Sequence, residues 1–276
     1  MLKRIAGVAL FATLLITTAA LAAPAANAPR DVVAAQAALH AAVSRGTLQD
    51  ILAARARFAA LAVTAPKSPW AHYWVALSDW RATPRFEGTS KALAAKTCAE
   101  GVAEIDKAIV LSPTEGEFHA LRASLLGMSL QFNPSAMMTI GPDLEASMNR
   151  ALKLSPDNPR VQLFAGINTF SKPAFIGGGA YKSLPVFAKS QALFAKAAVA
   201  DSTAPHWGAD DAWIWGGRAA MQLGDAKAAR EAYHHALALT PGHAWVTHDL
   251  LPEAEAAAAR DTTAKQPAAS DAATKP

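Results

Sequence analysis

The chain has 276 residues, is 52% hydrophobic and 17% charged, and carries a formal net charge of +4. Alanine makes up roughly a quarter of it, which suits closely packed helices and suits sheets poorly. One cysteine excludes a disulfide framework and a multi-cysteine metal site within one chain, the charge is too small for a committed nucleic-acid binder, and the apolar content is too high for a chain disordered throughout.

The first element reads as a leader. Lys3 and Arg4 precede an apolar run from Ile5 to Ile16, broken only by Gly7 and Thr13, and Ala20-Leu21-Ala22 supplies a small-x-small cleavage site. This is the pattern of a secretory signal peptide cut after Ala22. The run is short for a retained membrane anchor. No cysteine lies near the site for lipoprotein processing, and Arg-Arg is absent, which favours the Sec route over the twin-arginine route. The expectation is a signal peptide over 1–22, a short linker over 23–30, and a soluble exported protein without a transmembrane segment, periplasmic where the host has an outer membrane.

Downstream, four prolines close helical patterns: Pro66, Pro113, Pro156 and Pro241. Three follow a shared phrase, Ala108-Ile109-Val110-Leu111-Ser112, Ala151-Leu152-Lys153-Leu154-Ser155 and Ala236-Leu237-Ala238-Leu239-Thr240. Fixed offsets follow Pro66, Pro113 and Pro156: the large residues Trp74, Leu121 and Phe164 recur, then the small residues Ala76, Ala123 and Gly166 two positions on. A small residue lets two helices approach closely while a large one fills the adjoining gap. Periodicity and capping signals predict helix pairs over 31–45 and 47–63, 69–82 and 90–111, 115–130 and 142–154, 159–170 and 179–200, and 209–223 and 225–239. A last helix over 243–259 would cover the exposed end, and 260–276 reads as a disordered tail.

These features resemble the tetratricopeptide repeat, a helix-turn-helix unit of 34 residues. Trp213, Gly217, Ala220, Gly224-Asp225, Ala229, Tyr233, Ala236 and Pro241 match its pattern best, whereas the earlier units are stretched to about 43–50 residues with longer turns inside the pairs. The resemblance implies an all-α, right-handed helical-repeat solenoid over 31–259, about five helix pairs and a capping helix. It also implies a concave groove lined by the first helix of each pair, with Tyr73, Leu77 and Trp80, then Leu163, Ile167 and Phe170, then Arg218 and Met221 as candidate partner-binding residues. Such an apolar groove suits an amphipathic helix or an apolar ligand. Arg218 either clamps a carboxylate there or pairs with Asp225 or Asp211. Trp74 and Trp215 fall at core positions, while Trp70, Trp80 and Trp207 are candidates for stacking contacts.

The lengthened turns offer a second surface, because insertions at one point of each repeat fall on one edge. They carry Arg85, Phe86 and Glu87, then Phe132 and Asn133, then Phe175, Ile176, Gly177 and Gly178. Either they pack on one another and close a gap, or they form a ligand or peptide pocket.

Enzyme signals are weak. His243 and His248 fall about 140° apart on a helix, off a common face, and no His-Glu-x-x-His stretch exists. The Gly177–Ser183 stretch has Tyr181 where a phosphate loop needs glycine before Lys182. Cys98 sits among Ala and Thr on a helix, as a buried thiol would. No catalytic residue, cofactor or metal is expected. Three functions remain: a scaffold binding a protein or peptide partner in the cell envelope, a small-ligand-binding component associated with a periplasmic transport system, or a spacer. The aromatic turns argue against the last.

Overall fold

The computed structural model describes residues 28–86, 88–197 and 203–265; the expected signal peptide, Glu87 and residues 266–276 lie outside them. The described residues are all-α, with eleven α-helices and no strand: α1 (Ala28–Arg45), α2 (Leu48–Thr64), α3 (Pro69–Phe86), α4 (Lys91–Leu111), α5 (Gly116–Ser129), α6 (Met137–Leu154), α7 (Pro159–Ser171), α8 (Ala180–Lys196), α9 (Ala209–Gln222), α10 (Ala226–Leu239) and α11 (Leu251–Lys265). A π-helical turn over Val246–Leu250 leads into α11. Helices adjacent in sequence pack together, and α5 also touches α3 and α7, as α7 touches α9.

The four prolines stop their helices in one way. A proline disfavours helical geometry in the residue before it. Ala65, Ser112, Ser155 and Thr240 all leave the helix at φ between −129° and −145° and ψ between 63° and 83°. Each still donates its N–H to the carbonyl four residues back. Three residues on, Ser68, Glu115, Asn158 and His243 donate to the carbonyls of those same four residues. A further cap recurs six residues after the proline. His119 Nε2 lies 2.9 Å from the Pro113 carbonyl, Gln162 Nε2 donates to that of Pro156 at 2.7 Å, and His72 Nε2 lies 3.4 Å from that of Pro66. Imidazole and amide serve alike because each can present an N–H at that reach.

The large and small residues at fixed offsets are core. Trp74, Leu121, Phe164, Ala76 and Ala123 are buried. A Cβ on Gly166 would stand 2.5 Å from Phe187 Cε1, and one on Gly217 would strike the Tyr233 ring. The second helix of the pair thus lays an aromatic ring on the bare backbone of the first. Cys98 is buried and donates to the Leu125 carbonyl, and burial pushes its thiol up to about 12.

Three expectations need correction. The turn expected from Thr83 is mostly helix, since α3 runs through Pro84 to Phe86; so close to the helix end, the missing N–H costs one hydrogen bond rather than a break. Helix α6 begins at Met137, not 142, with Pro142 inside its second turn. The helical part also extends past 31–259 at both ends, because Ala28–Arg30 belong to α1 and the first residues of the expected tail to α11.

The largest correction concerns the groove. The segment ahead of α9 folds into it and is fixed at three points. Gln36 Nε2 of α1 donates to the Thr203 carbonyl at 2.9 Å, Arg160 Nη1 of α7 donates to that of Pro205 at 3.1 Å, and Trp207 Nε1 donates to the Tyr73 hydroxyl at 3.0 Å. Tyr73 in turn donates to Glu117, which also accepts from Arg160 Nε at 2.8 Å and Asn158 Nδ2 at 3.0 Å. Tyr73, Leu77, Leu163 and Ile167 are therefore buried. Trp80 and Trp207 are buried too, 5% and 7% exposed, against Phe164 between them.

Candidate functional site

What remains of the groove is a cavity of about 710 Å³ at its far end. Its walls come from α3 (Trp80, Arg81, Arg85), α5 (Met128), α7 (Phe170), α9 (Asp211, Ile214, Trp215, Arg218) and the stretch before α11 (His243, Trp245, His248). Of the groove candidates, Trp80, Phe170 and Arg218 line it; Tyr73, Leu77, Leu163, Ile167 and Met221 do not. Of the turn candidates, Arg85 alone lines it. Phe86 and Phe132 pack against the core, Asn133 and Gly177 are exposed, and Gly178 is buried with no room for a side chain beside Lys172. Phe175 and Ile176 are exposed, Phe175 by 89%.

The arginines divide by partner. Arg81 donates through both terminal nitrogens to the two carboxylate oxygens of Asp211, at 2.7 Å for the Nη1 bond, with its guanidinium over the rings of Trp80 and Trp207. It holds the Asp211 carboxyl below its usual range despite burial. Arg218 has neither partner that the sequence suggests, since Asp211 is taken and Asp225 caps α10. Its Cζ lies 4.3 Å from the centroid of Trp215, 5.2 Å from Trp245 and 5.5 Å from Phe170. Arg85 donates to the carbonyls of Arg81 and Val43. Among the described residues no carboxylate pairs with Arg85 or Arg218. Burial pulls both guanidinium groups down, the largest cause in each case, and both still stay protonated. Two guanidiniums without an ion-pair partner among the described residues share this cavity with aromatic rings, a combination suited to an anionic group on an apolar body, although the Asp249 carboxylate also lines it.

His243 is 4% exposed on this wall, and its Nδ1 has no hydrogen-bond partner among the described residues. Burial pushes its pKa down, helped by Arg81 and Arg85 and opposed by Asp211 and Asp210. The expected core position of Trp215 is also revised: it is half-buried, with Phe170 edge-on at 5.7 Å. The missed residues are Arg81, His243 and Trp245. Trp245 stands alone in the sequence, and His243 fits no metal spacing.

The chain is similar to the HusA haemophore from Porphyromonas gingivalis. The likeness has a TM-score of 0.60 at 25% sequence identity and covers 72% of this chain and 96% of that one. No protein-family model matches the chain, and no curated protein sequence does. Among the described residues no helix is long and apolar enough to cross a membrane, and no group of three or more His, Cys, Asp or Glu could hold a metal ion.

Proposed function

We propose that the chain is a non-catalytic binding protein of tetratricopeptide-like helical-repeat architecture that captures haem or a closely related tetrapyrrole in the 710 Å³ cavity. The observation that carries this is Arg218, which has no ion-pair partner among the described residues and lies over the rings of Trp215, Trp245 and Phe170, with Arg85 lining the same cavity. Haem is flat and apolar on both faces and bears two carboxylates on one edge, so it would meet aromatic rings and guanidiniums together. The cavity volume falls within the span of small-molecule sites. The likeness to a haemophore supports the ligand class. The recurrent proline turns support the repeat architecture, and the leader pattern over 1–22 supports export to the periplasm.

Titration of the mature protein with haemin, followed by tryptophan quenching and by the Soret band, should saturate at one equivalent. A linear, unsaturable response would overturn the proposal.

A second reading, a protein partner, rests on a separate observation. Met138, Phe175 and Tyr181 are exposed by 85%, 89% and 76%, and large apolar side chains left in solvent supply a contact surface where they adjoin in one patch. Cross-linking from a photoreactive residue at Phe175 should yield one discrete adduct with an envelope protein; a smear of adducts would count against it.

A further inference from the structure

The repeat makes His243 anomalous. It occupies the position of Ser68, Glu115 and Asn158, two residues after the turn proline, where the chain enters the next helix. Ser, Asn and Asp suit that position because their short oxygens cap exposed N–H groups. Asn158 accepts from Arg160 N and Val161 N, and Glu115 from Glu117 N. An imidazole there caps nothing. Neither ring nitrogen of His243 hydrogen-bonds within the described residues, although the side chain is buried and lines the cavity. The following helix departs from the others too, since it opens with the π-helical turn Val246–Leu250, an irregularity frequent at functional sites. Local rules broken together at one place, without a gain in stability, point to function.

A buried unpartnered nitrogen is costly unless a ligand completes it. A protein-only metal site needs several side chains, which the described residues do not assemble. A metallated tetrapyrrole brings four ring nitrogens of its own and needs a single axial donor from the protein. The donor must be neutral imidazole, the form that burial beside Arg81 and Arg85 favours.

Resting on the reading of the cavity as a tetrapyrrole site, we infer that His243 is the axial ligand to the metal of the bound tetrapyrrole. Arg85 and Arg218 hold its carboxylates, and His248, which is exposed on the same wall, does not bind the metal.

The test compares the native protein with His243→Ala, His243→Gln and His248→Ala, each titrated with ferric haemin and with metal-free protoporphyrin. The expected result is a nitrogen-ligated Soret and visible spectrum in the native protein and in His248→Ala. Both His243 variants should lose that spectrum and bind haemin about tenfold or more weakly, while binding metal-free protoporphyrin as before. That retained binding also certifies that they are folded. Free imidazole should restore the spectrum in His243→Ala. An unchanged haemin spectrum in the folded His243 variants, or its loss in His248→Ala, would overturn the assignment while leaving the cavity reading intact. If the native protein bound neither porphyrin, the cavity reading itself would fail and the assignment with it.

Discussion

Arg81 and Asp211 lie 130 residues apart in sequence and form a two-pronged ion pair in the interior, with side chains 11% and 9% exposed. The pair ties α3 to the first turn of α9 and contributes to two cavities, the 710 Å³ one and a smaller one of about 240 Å³ beside α1. Removing one partner leaves the other charge buried without compensation. Asp211→Asn should therefore cost about 3–5 kcal/mol, read as a lowered urea midpoint. The double replacement Arg81→Met with Asp211→Leu should recover much of that loss, because an apolar pair of similar volume leaves no buried charge. A double variant no more stable than Asp211→Asn would show that the pair does more than neutralise itself.

Gly166 stands under the Phe187 ring, which is fully buried and has nowhere to retreat. Gly166→Ala brings the better helix former, worth about 1 kcal/mol in an open helix, but forces overpacking that costs about 1–3 kcal/mol. The net should be destabilising by about 0–2 kcal/mol, measured by chemical denaturation. At Gly224, with φ +81° and nothing near its Cβ, substitution by alanine should destabilise through backbone strain alone.

Arg218 can be separated from the aromatic rings around it. Replacing it with methionine keeps much of the stem and removes the charge. A charged hydrogen bond contributes about 1.5–3 kcal/mol, so haemin affinity should fall roughly 10- to 100-fold. The dimethyl ester of protoporphyrin lacks the carboxylates and should bind the native protein and Arg218→Met alike. An equal loss for the acid and the ester would show that Arg218 acts through packing.

His243 also predicts a pH dependence of the empty protein. Its folded pKa is depressed below 6.5, mainly by burial, so the unfolded chain takes up the proton first as pH falls. The stabilisation is fully present above the unfolded value and is lost as pH drops through the folded one. Urea midpoints of the native protein should decline between about pH 7 and pH 5, and more steeply than those of His243→Gln. Parallel declines would assign the slope to other groups. Asp211, also depressed, acts in a separate window below 3.8 with the same sign.

The local part of this structure was legible in the sequence. Helix ends at Ala65, Ser112, Ser155 and Thr240 follow from the proline that succeeds each, and Trp74 and Phe164 are core where their spacing puts them. What could not be read is how helices distant in sequence meet. Trp207 donates to Tyr73 and Arg81 pairs with Asp211, and Leu77 and Ile167 are buried. No local rule couples residues more than a hundred positions apart. Of the expected groove residues, Trp80, Phe170 and Arg218 line the cavity, whose other wall has no signal in the sequence. His243 lies in the turn after Pro241 and Trp245 at the start of the last helical segment, where the repeat pattern lapses.

The hydrogen bond from Gln36 to the carbonyl of Thr203 joins α1 to the segment before α9 across 167 residues. A row of helical hairpins touching only its neighbours flexes like a spring, and each member loosens almost alone. A clasp between distant members couples α1 to the segment before α9, so neither of these two loosens without breaking a contact made by the other.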